Sequence, residues 1–253
     1  MIVQDIIDIL EAFAPSATQE PWDNAGLCIG SPRQPVHGVL VGFDCTKALI
    51  DEAVARGADM VVTHHPLIFG GLKRIDPDDP VGAAVTAAIR QGVAVYAAHT
   101  NADKAPEGVN TLMAARLGLV DPHPLDESGL AWIGQLPEPM DGPAFCAYVK
   151  ARFSLAALRC SAPVARVVTV ATSCGSGSSF AEKAYAAGAE AFVTGDVSYH
   201  HFFAPEGRMI VDIGHYESEI DIVAKFVSVL QKKLPTFAVC TTHEKQNNPV
   251  YHF

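Results

Sequence analysis

The sequence predicts an α/β protein, because short apolar segments rich in β-branched residues alternate with segments of helical periodicity. The segments 39–43, 60–63 and 93–97 fit buried strands of a parallel sheet. The stretch 121–126 contains two prolines among polar residues, which disfavours both a helix and a central strand. The alternation starts again after this stretch, so we expect two α/β blocks.

In the first block, apolar residues at helical spacing in 3–13 predict an opening helix that ends by Pro15. Residues 22–27 read as a compact loop, in which Asn24 and Gly26 suit a tight turn. Thr46 is suited to cap a helix that ends at Gly57. Further helices are predicted at 80–91 and 108–117.

The second block is predicted to contain strands at 132–136, 167–171, 191–194 and 209–213, with helices at 145–153 and up to 187. A final helix at 216–230 and a strand at 236–241 are expected to return to the first block. We therefore predict a discontinuous α/β domain, 1–127 plus 213–253, that carries an inserted α/β domain, 128–212; the first of these contains the candidate metal ligands described below.

The composition of the chain limits the classes of function that are expected. The chain has 253 residues, is 49% hydrophobic and carries a formal net charge of -10, and it contains no dense block of Lys and Arg. Binding to nucleic acid or to an anionic membrane is therefore not expected. The six cysteines form no C-x-x-C pair, and neither a signal peptide nor an apolar run of membrane-spanning length is present. We expect reduced cysteines and a cytoplasmic location.

Two adjacent histidines, His64 and His65, follow the strand at 60–63 directly. In open α/β sheets, ligands bind beyond the carboxyl ends of the strands, and Pro66 favours an extended His65. Neighbouring residues that leave a strand point in different directions, so this pair suits two sides of one site or two metal ions. Taken alone, the pair is equally consistent with two ordinary loop histidines.

Other metal-ligand residue types follow two further predicted strands. His215 and Glu219 are four residues apart at the start of a helix and would share one face, while His99 and Asp103 lie in a predicted loop after a strand. Imidazoles and carboxylates together suit Zn, Fe, Mn or Ni. Because six such side chains exceed the needs of one four-coordinate ion, we expect two divalent metal ions that activate water for hydrolysis.

Two other features have more than one interpretation. The Ser- and Gly-rich segment 173–179 lies between a strand and a helix, where its amides would suit a phosphate or serve as a plain turn. No base accompanies Cys174 in sequence, which disfavours a nucleophilic role. His200 follows another predicted strand and is a candidate general acid or base, a substrate contact or a structural histidine.

Six motifs in order along the chain resemble the NIF-three-like family, whose members are often labelled GTP cyclohydrolase 1 type 2 homologs or dinuclear metal centre proteins. The motifs are Trp22-Asp23-Asn24 with Gly26-Leu27, residues 63–69, His99-Thr100-Asn101 with Asp103, residues 108–110, Thr194-Gly195-Asp196 with His200, and Gly214-His215 with Ser218-Glu219. Together they span nearly the whole chain.

The resemblance implies two interlinked α/β domains with mixed or parallel sheets, assembled into a toroidal homohexamer with metal sites facing an internal cavity. It also implies that five residues are the metal ligands: His64, His65, Asp103, His215 and Glu219. His99 and His200 correspond to further polar residues of the same cleft, and we assign them candidate catalytic roles. The segment 174–177 matches the family's small-residue turn only loosely.

The sequence thus predicts a metal-dependent hydrolase for a small substrate, and the family label suggests a nucleotide, with opening of the guanine imidazole ring of GTP. A metal-binding, metal-delivery or regulatory scaffold protein is the alternative; an open coordination position would favour catalysis. A phosphodiesterase or phosphatase is a further alternative, because such enzymes also use paired metals. Activity on generic phosphoesters would distinguish this third hypothesis.

Overall fold

A computed structural model of the chain describes residues 1–243 and 248–251. Its strands are β1 (Gly26–Ile29), β2 (Gly38–Val41), β3 (Met60–Thr63), β4 (Ala94–Ala97), β5 (Val120–Pro124), β6 (Trp132–Met140), β7 (Arg159–Cys160), β8 (Val167–Thr172), β9 (Ala191–Thr194), β10 (Met209–Asp212) and β11 (Ala238–Thr241). Its α-helices are α1 (Val3–Phe13), α2 (Lys47–Ala55), α3 (Pro80–Gln91), α4 (Thr100–Lys104), α5 (Val109–Arg116), α6 (Gly142–Arg152), α7 (Ala181–Ala186), α8 (His215–Glu219) and α9 (Asp221–Lys233). The predicted α/β class with mixed sheets is confirmed.

The chain forms two compact units. The first comprises Met1–Ala105 and Ile222–Pro249, and the second comprises Pro106–Asp221 with Val250 and Tyr251 of the described C-terminus. In the part of the chain that is described, every helix is too short or too polar to span a bilayer.

The first unit is built on a five-stranded sheet with strand order β1-β4-β3-β2-β11. The strands from β4 to β11 are mutually parallel, while β1 pairs antiparallel with β4 at the edge. β2, β3 and β4 are buried at every position, as expected for strands covered on both faces. The carboxyl ends of β3 and β4 therefore lie side by side, and the residues that follow them meet at one edge.

Local sequence signals explain the helix α3 of the first unit. The side chain of Asp79 caps its first turn by accepting from the Val81 amide, Pro80 occupies the first helical position, and Gly92 ends it with φ of 67°. The predicted helix at 80–91 is thus confirmed. Residues 26 and 27, by contrast, were expected in the compact loop at 22–27 and begin the short edge strand β1.

The second unit contains a six-stranded sheet with strand order β5-β6-β8-β9-β10-β7. β8, β9 and β10 are parallel, and antiparallel pairs close the sheet on both sides. Its core includes Phe192 and Ile210, which are fully buried. The ends of β9 and β10 lead to residues 194–201 and 213–219, which carry the predicted site residues of this unit.

The linker predicted at 121–126 is wrong, because Val120–Pro124 forms β5. Prolines are tolerated there because β5 is an edge strand, exposed at every position, and its register with β6 shifts. Asp121, which lies within the register shift, adopts a left-handed φ of 50°.

The compact units differ in extent from the predicted domains 1–127 plus 213–253 and 128–212. Residues 106–127 lie in the second unit because β5 pairs with β6, and the segment 213–221 also belongs there. The final helix predicted at 216–230 is in fact two helices, α8 and α9. The predicted domain limit at 253 lies outside the described residues.

Candidate metal centre

His64 and His65 follow β3 directly, and their backbone amides both donate to the carbonyl of Phe43, at 3.1 and 3.2 Å. Residue 43 follows β2, the parallel neighbour of β3, so these hydrogen bonds extend the pairing beyond both strands. The His64 side chain is fully buried, whereas that of His65 is partly exposed. The strand pairing therefore fixes the backbone positions from which both imidazole side chains extend.

Both rings are oriented through Nδ1. Nδ1 of His64 lies 2.9 Å from the carbonyl oxygen of Ala98, and Nδ1 of His65 lies 2.7 Å from Oδ1 of Asp44. A carbonyl only accepts hydrogen bonds, so Nδ1 of His64 is the donor in this contact. This is the arrangement found in metal-binding histidines, whose second nitrogen donates to a carbonyl or a carboxylate.

His99 follows β4 and is held in the same way by Asp23, with 2.8 Å between Nδ1 and Oδ1. The other oxygen of this carboxylate accepts from the amide and the hydroxyl of Thr100, at 3.0 and 2.5 Å. Burial would raise the pKa of Asp23, but hydrogen bonds from His99 and Thr100 and the charge of His99 outweigh it and hold the pKa well below its ordinary value. Asp23 is therefore ionised and orients His99.

The first unit brings three predicted side chains into one histidine group: His64, His65 and His99. One ring nitrogen from each lies within 4.8 Å of the others, and ring centroids are 4.9 to 5.5 Å apart. Asp103 is also buried here, with Oδ1 at 3.6 Å from Nε2 of His64. The predicted loop around Asp103 is wrong, since this residue lies on the single-turn helix α4.

The second unit brings together His215 and Glu219 on α8, with 3.0 Å between Nε2 and Oε2. The predicted spacing of four residues thus places both groups on one face. Nδ1 of His215 lies 2.8 Å from Oδ2 of Asp196, so this fourth histidine is also held by an oxygen at Nδ1. Asp196 adopts a φ of 51°, a conformation that aspartate tolerates better than most residues.

The turn after β8 supports this pair. A Cβ at Gly175 would collide with Oε1 of Glu219 and lie 3.2 Å from Cε1 of His215. The Gly175 amide donates to the Ser218 hydroxyl at 2.9 Å, and its carbonyl accepts from the Gly195 amide at 2.8 Å. A larger residue at 175 would therefore require the Glu219 carboxylate to move, so glycine allows α8 to pack with that carboxylate in place.

The phosphate interpretation of 173–179 fails for three of its amides. Those of Cys174, Gly175 and Gly177 already donate to side-chain oxygens of Asn110, Ser218 and Thr194, at 2.9 to 3.0 Å. An amide with an internal acceptor is not free to hold an anion. The plain-turn alternative accounts for these contacts.

His200 lies on a 3-10 helix, Tyr199–Phe202, that follows β9. It is exposed, and its ring packs edge-on against Tyr199 at 5.5 Å between centroids. The structure thus places His200 at the surface of the second unit, and its predicted catalytic role stays a prediction.

The donor set fits a divalent metal ion. Each unit presents an imidazole Nε2 beside a buried carboxylate, and no thiol contributes to the groups described. Nitrogen and carboxylate donors of this kind suit Zn, Fe, Mn or Ni. A metal ion bound by them would act as a Lewis acid that makes a coordinated water more acidic and stabilises negative charge.

Sequence reasoning missed the carboxylates that orient the histidines. Asp44 and Asp196 both lie within two or three residues of a strand end, as the histidines do, and that position was the available signal. Asp23 lies far from any predicted strand end, and only its neighbours in the Trp22-Asp23-Asn24 motif marked it. The role of Gly175 had no signal, because it depends on packing against a helix 40 residues later.

Comparisons with known proteins agree with this description. A family model for Duf34/NIF3 (NGG1p interacting factor 3) matches residues 1–249. A "GTP cyclohydrolase 1 type 2 homolog" of Clostridium perfringens is 32% identical, with 92% of this chain and 93% of the relative covered. A relative of the same name from Lactococcus lactis is 30% identical, with 99% of each chain covered.

A solved structure described as a Bacillus cereus protein related to NIF3 has the same fold, with a TM-score of 0.90. It covers 100% of this chain and 99% of its own, at 23% identity. Reduced HcgD from Methanocaldococcus jannaschii aligns with a TM-score of 0.83 and 25% identity, with 96% of this chain and 98% of that chain covered.

Proposed function

Because the chain belongs to the Duf34/NIF3 family, we propose that it is a dinuclear metal-dependent hydrolase of a small, nucleotide-like substrate. The observation that carries this proposal is the shared orientation of four histidines. In His64, His65, His99 and His215, Nδ1 lies 2.7 to 2.9 Å from an oxygen of the protein. Such a constraint costs side-chain entropy and is useful where Nε2 must face a ligand.

The proposed ligands are the five residues that the family resemblance implies: His64, His65, Asp103, His215 and Glu219. Two divalent ions fit this number of donors, and Zn, Fe, Mn and Ni all suit the donor types. In each unit a buried carboxylate lies beside an imidazole Nε2, which supplies negative charge where a cation would bind. A bound cation would neutralise the charge of the buried carboxylate, which offsets the free-energy cost of burying that charge.

His99 and His200 are the proposed proton-transfer residues. His99 is held by the ionised Asp23 and has Nε2 available to give a proton to, or take one from, a substrate atom. Its histidine group with His64 and His65 places that nitrogen beside the proposed ligands. His200 is exposed and packs edge-on against Tyr199, a position suited to substrate contact.

The proposed reaction is water addition to an electrophilic carbon, and the names of the relatives suggest the imidazole ring of GTP as the target. Addition of one water would open the ring to a formamide, and a second water would hydrolyse the formamide and release formate. The experiment incubates the purified protein with GTP, other nucleotides and a generic phosphoester, with and without a chelator. Chelator-sensitive formate release supports the proposal, while chelator-sensitive phosphate release favours the phosphoesterase alternative instead.

Stable metal binding without turnover of any of these substrates would contradict the hydrolase proposal and favour a metal-delivery or scaffold role. Assembly into a homohexamer is a further part of the proposal, and mass photometry of the purified protein tests it. A monomer at micromolar concentration would contradict the ring.

A further inference from the structure

Two large aromatic side chains lie exposed beside the histidine group of the first unit. Trp22 is 58% exposed and Phe69 is 56% exposed, and their ring centroids are 5.9 Å apart. Each also packs edge-on against His99, at 6.4 and 6.0 Å respectively. We call Trp22 and Phe69 the aromatic platform.

Hydrogen bonds of the neighbouring residues hold the platform in place. Asn24 donates from Nδ2 to the carbonyl of Ile68 at 2.5 Å, which ties the loop carrying Trp22 to the segment carrying Phe69. Asp23 binds the amide of Thr100 and the ring of His99, which ties the same loop to the end of β4. The segments that carry the two rings are therefore tied to each other and to the segment that carries His99.

Leaving these rings exposed has a cost. Burying an aromatic side chain stabilises a fold, and this chain forgoes much of that contribution at both positions. A single exposed hydrophobic residue is common, but two exposed aromatic rings in contact with each other and with a proposed catalytic histidine suit a ligand surface. A ligand that covers them would recover this energy.

The chemistry of the platform selects a class of ligand. Aromatic faces stack with planar rings, and His99 Nε2 offers a polar contact at the edge, because Asp23 already engages Nδ1. An aliphatic ligand would leave that polar nitrogen unsatisfied. The net charge of -10 also disfavours an anionic lipid surface as the partner.

We propose that Trp22 and Phe69 form the stacking surface for a planar nitrogen heterocycle of purine size, with the edge of the ring at His99. This inference rests on the proposed function, since it names the part of the substrate that lies beside the metal ligands. Stacking on one aromatic side chain contributes about 1 to 3 kcal/mol per base, so loss of one platform ring should weaken binding about 5-fold or more.

The chain offers a direct optical test, because it has two tryptophans and Trp132 lies in the second unit. The variant Trp132→Phe leaves Trp22 as the sole indole. Its emission is followed during titration with GMP, with ribose 5-phosphate as the control that lacks the base, and with correction for absorption by GMP. We expect saturable quenching by GMP and none by ribose 5-phosphate.

A second substitution in this background tests the platform itself. Phe69→Leu keeps an apolar side chain but removes the aromatic face, so GMP binding should weaken, while Phe69→Tyr should retain it. Val54→Ala on α2, also exposed, is the matched control and should leave binding unchanged. Absence of quenching by GMP, or equal affinity of the leucine and tyrosine variants, would overturn the inference.

A metal titration of the same variant distinguishes failure of this inference from failure of the proposed function. Ni²⁺ titrated into the Trp132→Phe variant should quench Trp22, and His64→Ala should abolish that quenching. Quenching by GMP without a response to Ni²⁺ would contradict only the metal proposal, and the reverse would contradict only the platform. A blue shift of Trp22 emission that grows with protein concentration, without any effect of GMP, would show that a second copy covers the platform and overturn the inference.

Discussion

Oδ1 of Asp44 lies 2.7 Å from Nδ1 of His65, and Oδ1 of Asp23 lies 2.8 Å from Nδ1 of His99. These two relationships have the same geometry but serve histidines with different proposed roles, one a metal ligand and the other a proton-transfer residue. Substitution of the two aspartates should therefore have different consequences.

Asp44→Asn should lower metal affinity about 10- to 100-fold, because an amide orients His65 less well and makes Nε2 a weaker donor. A competition titration against a chromophoric chelator measures the affinity. Asp59→Asn is the matched control, since it breaks a pair of the same type at His37, with 2.7 Å between Oδ2 and Nδ1, on an exposed surface. Equal affinities for the two variants would contradict the assignment of His65.

Asp23→Asn should retain bound metal and lower turnover at least about 10-fold, because His99 loses the carboxylate that sets its tautomer. Metal content and turnover rate are measured on the same sample. The pH dependence of the turnover rate should also change. The thermal midpoint serves as the control for folding, since Thr100 also binds this carboxylate. Unchanged turnover in a folded variant would remove His99 from the mechanism.

Gly175→Ala should reduce metal affinity without touching a ligand, because the added methyl group displaces the carboxylate of Glu219. The φ of 55° also makes alanine strained there, at about 1 to 2 kcal/mol. Gly188→Ala controls for that strain, since its φ is 100° and no atom lies within 4 Å of the added carbon. If the two variants lose metal affinity equally, the close approach of Gly175 to Glu219 does not contribute to metal binding, and the prediction is wrong.

Asn101→Ala should destabilise the first unit by about 1 to 3 kcal/mol. This fully buried side chain donates to the carbonyl of Ala14 at 2.7 Å and accepts from the amide of His99 at 2.8 Å. Its removal takes the Asn101 hydrogen bond from both the Ala14 carbonyl and the His99 amide. Urea unfolding of metal-free protein provides the comparison. Thr18→Ala, which removes an exposed hydrogen bond to Pro15, should change stability by less than about 0.5 kcal/mol.

Strands and helices with strong local signals were predictable from the sequence. β9 at Ala191–Thr194 and α3 at Pro80–Gln91 match the predicted limits, because a continuous apolar run or a capped helix defines each end locally. β5 was missed because its prolines are acceptable only at a sheet edge, and edge position is a property of the whole sheet.

For the candidate site, sequence position after a strand identified the histidines, whereas their partners depend on which strands are neighbours. Asp44 reaches His65 because β2 pairs with β3, and no local pattern states that pairing. Trp22 is exposed, and contacts of Asp23 and Asn24 with residues far along the chain position its loop, which no local pattern states.

The most direct measurement is the metal content of the purified protein, determined by elemental analysis per chain, before and after reconstitution with Zn²⁺, Fe²⁺, Mn²⁺ and Ni²⁺. We predict about two ions per chain in the wild-type protein, and less in folded His64→Ala and Glu219→Ala variants. A wild-type protein that holds no metal after reconstitution, or variants with full content and unchanged affinity, would contradict the account.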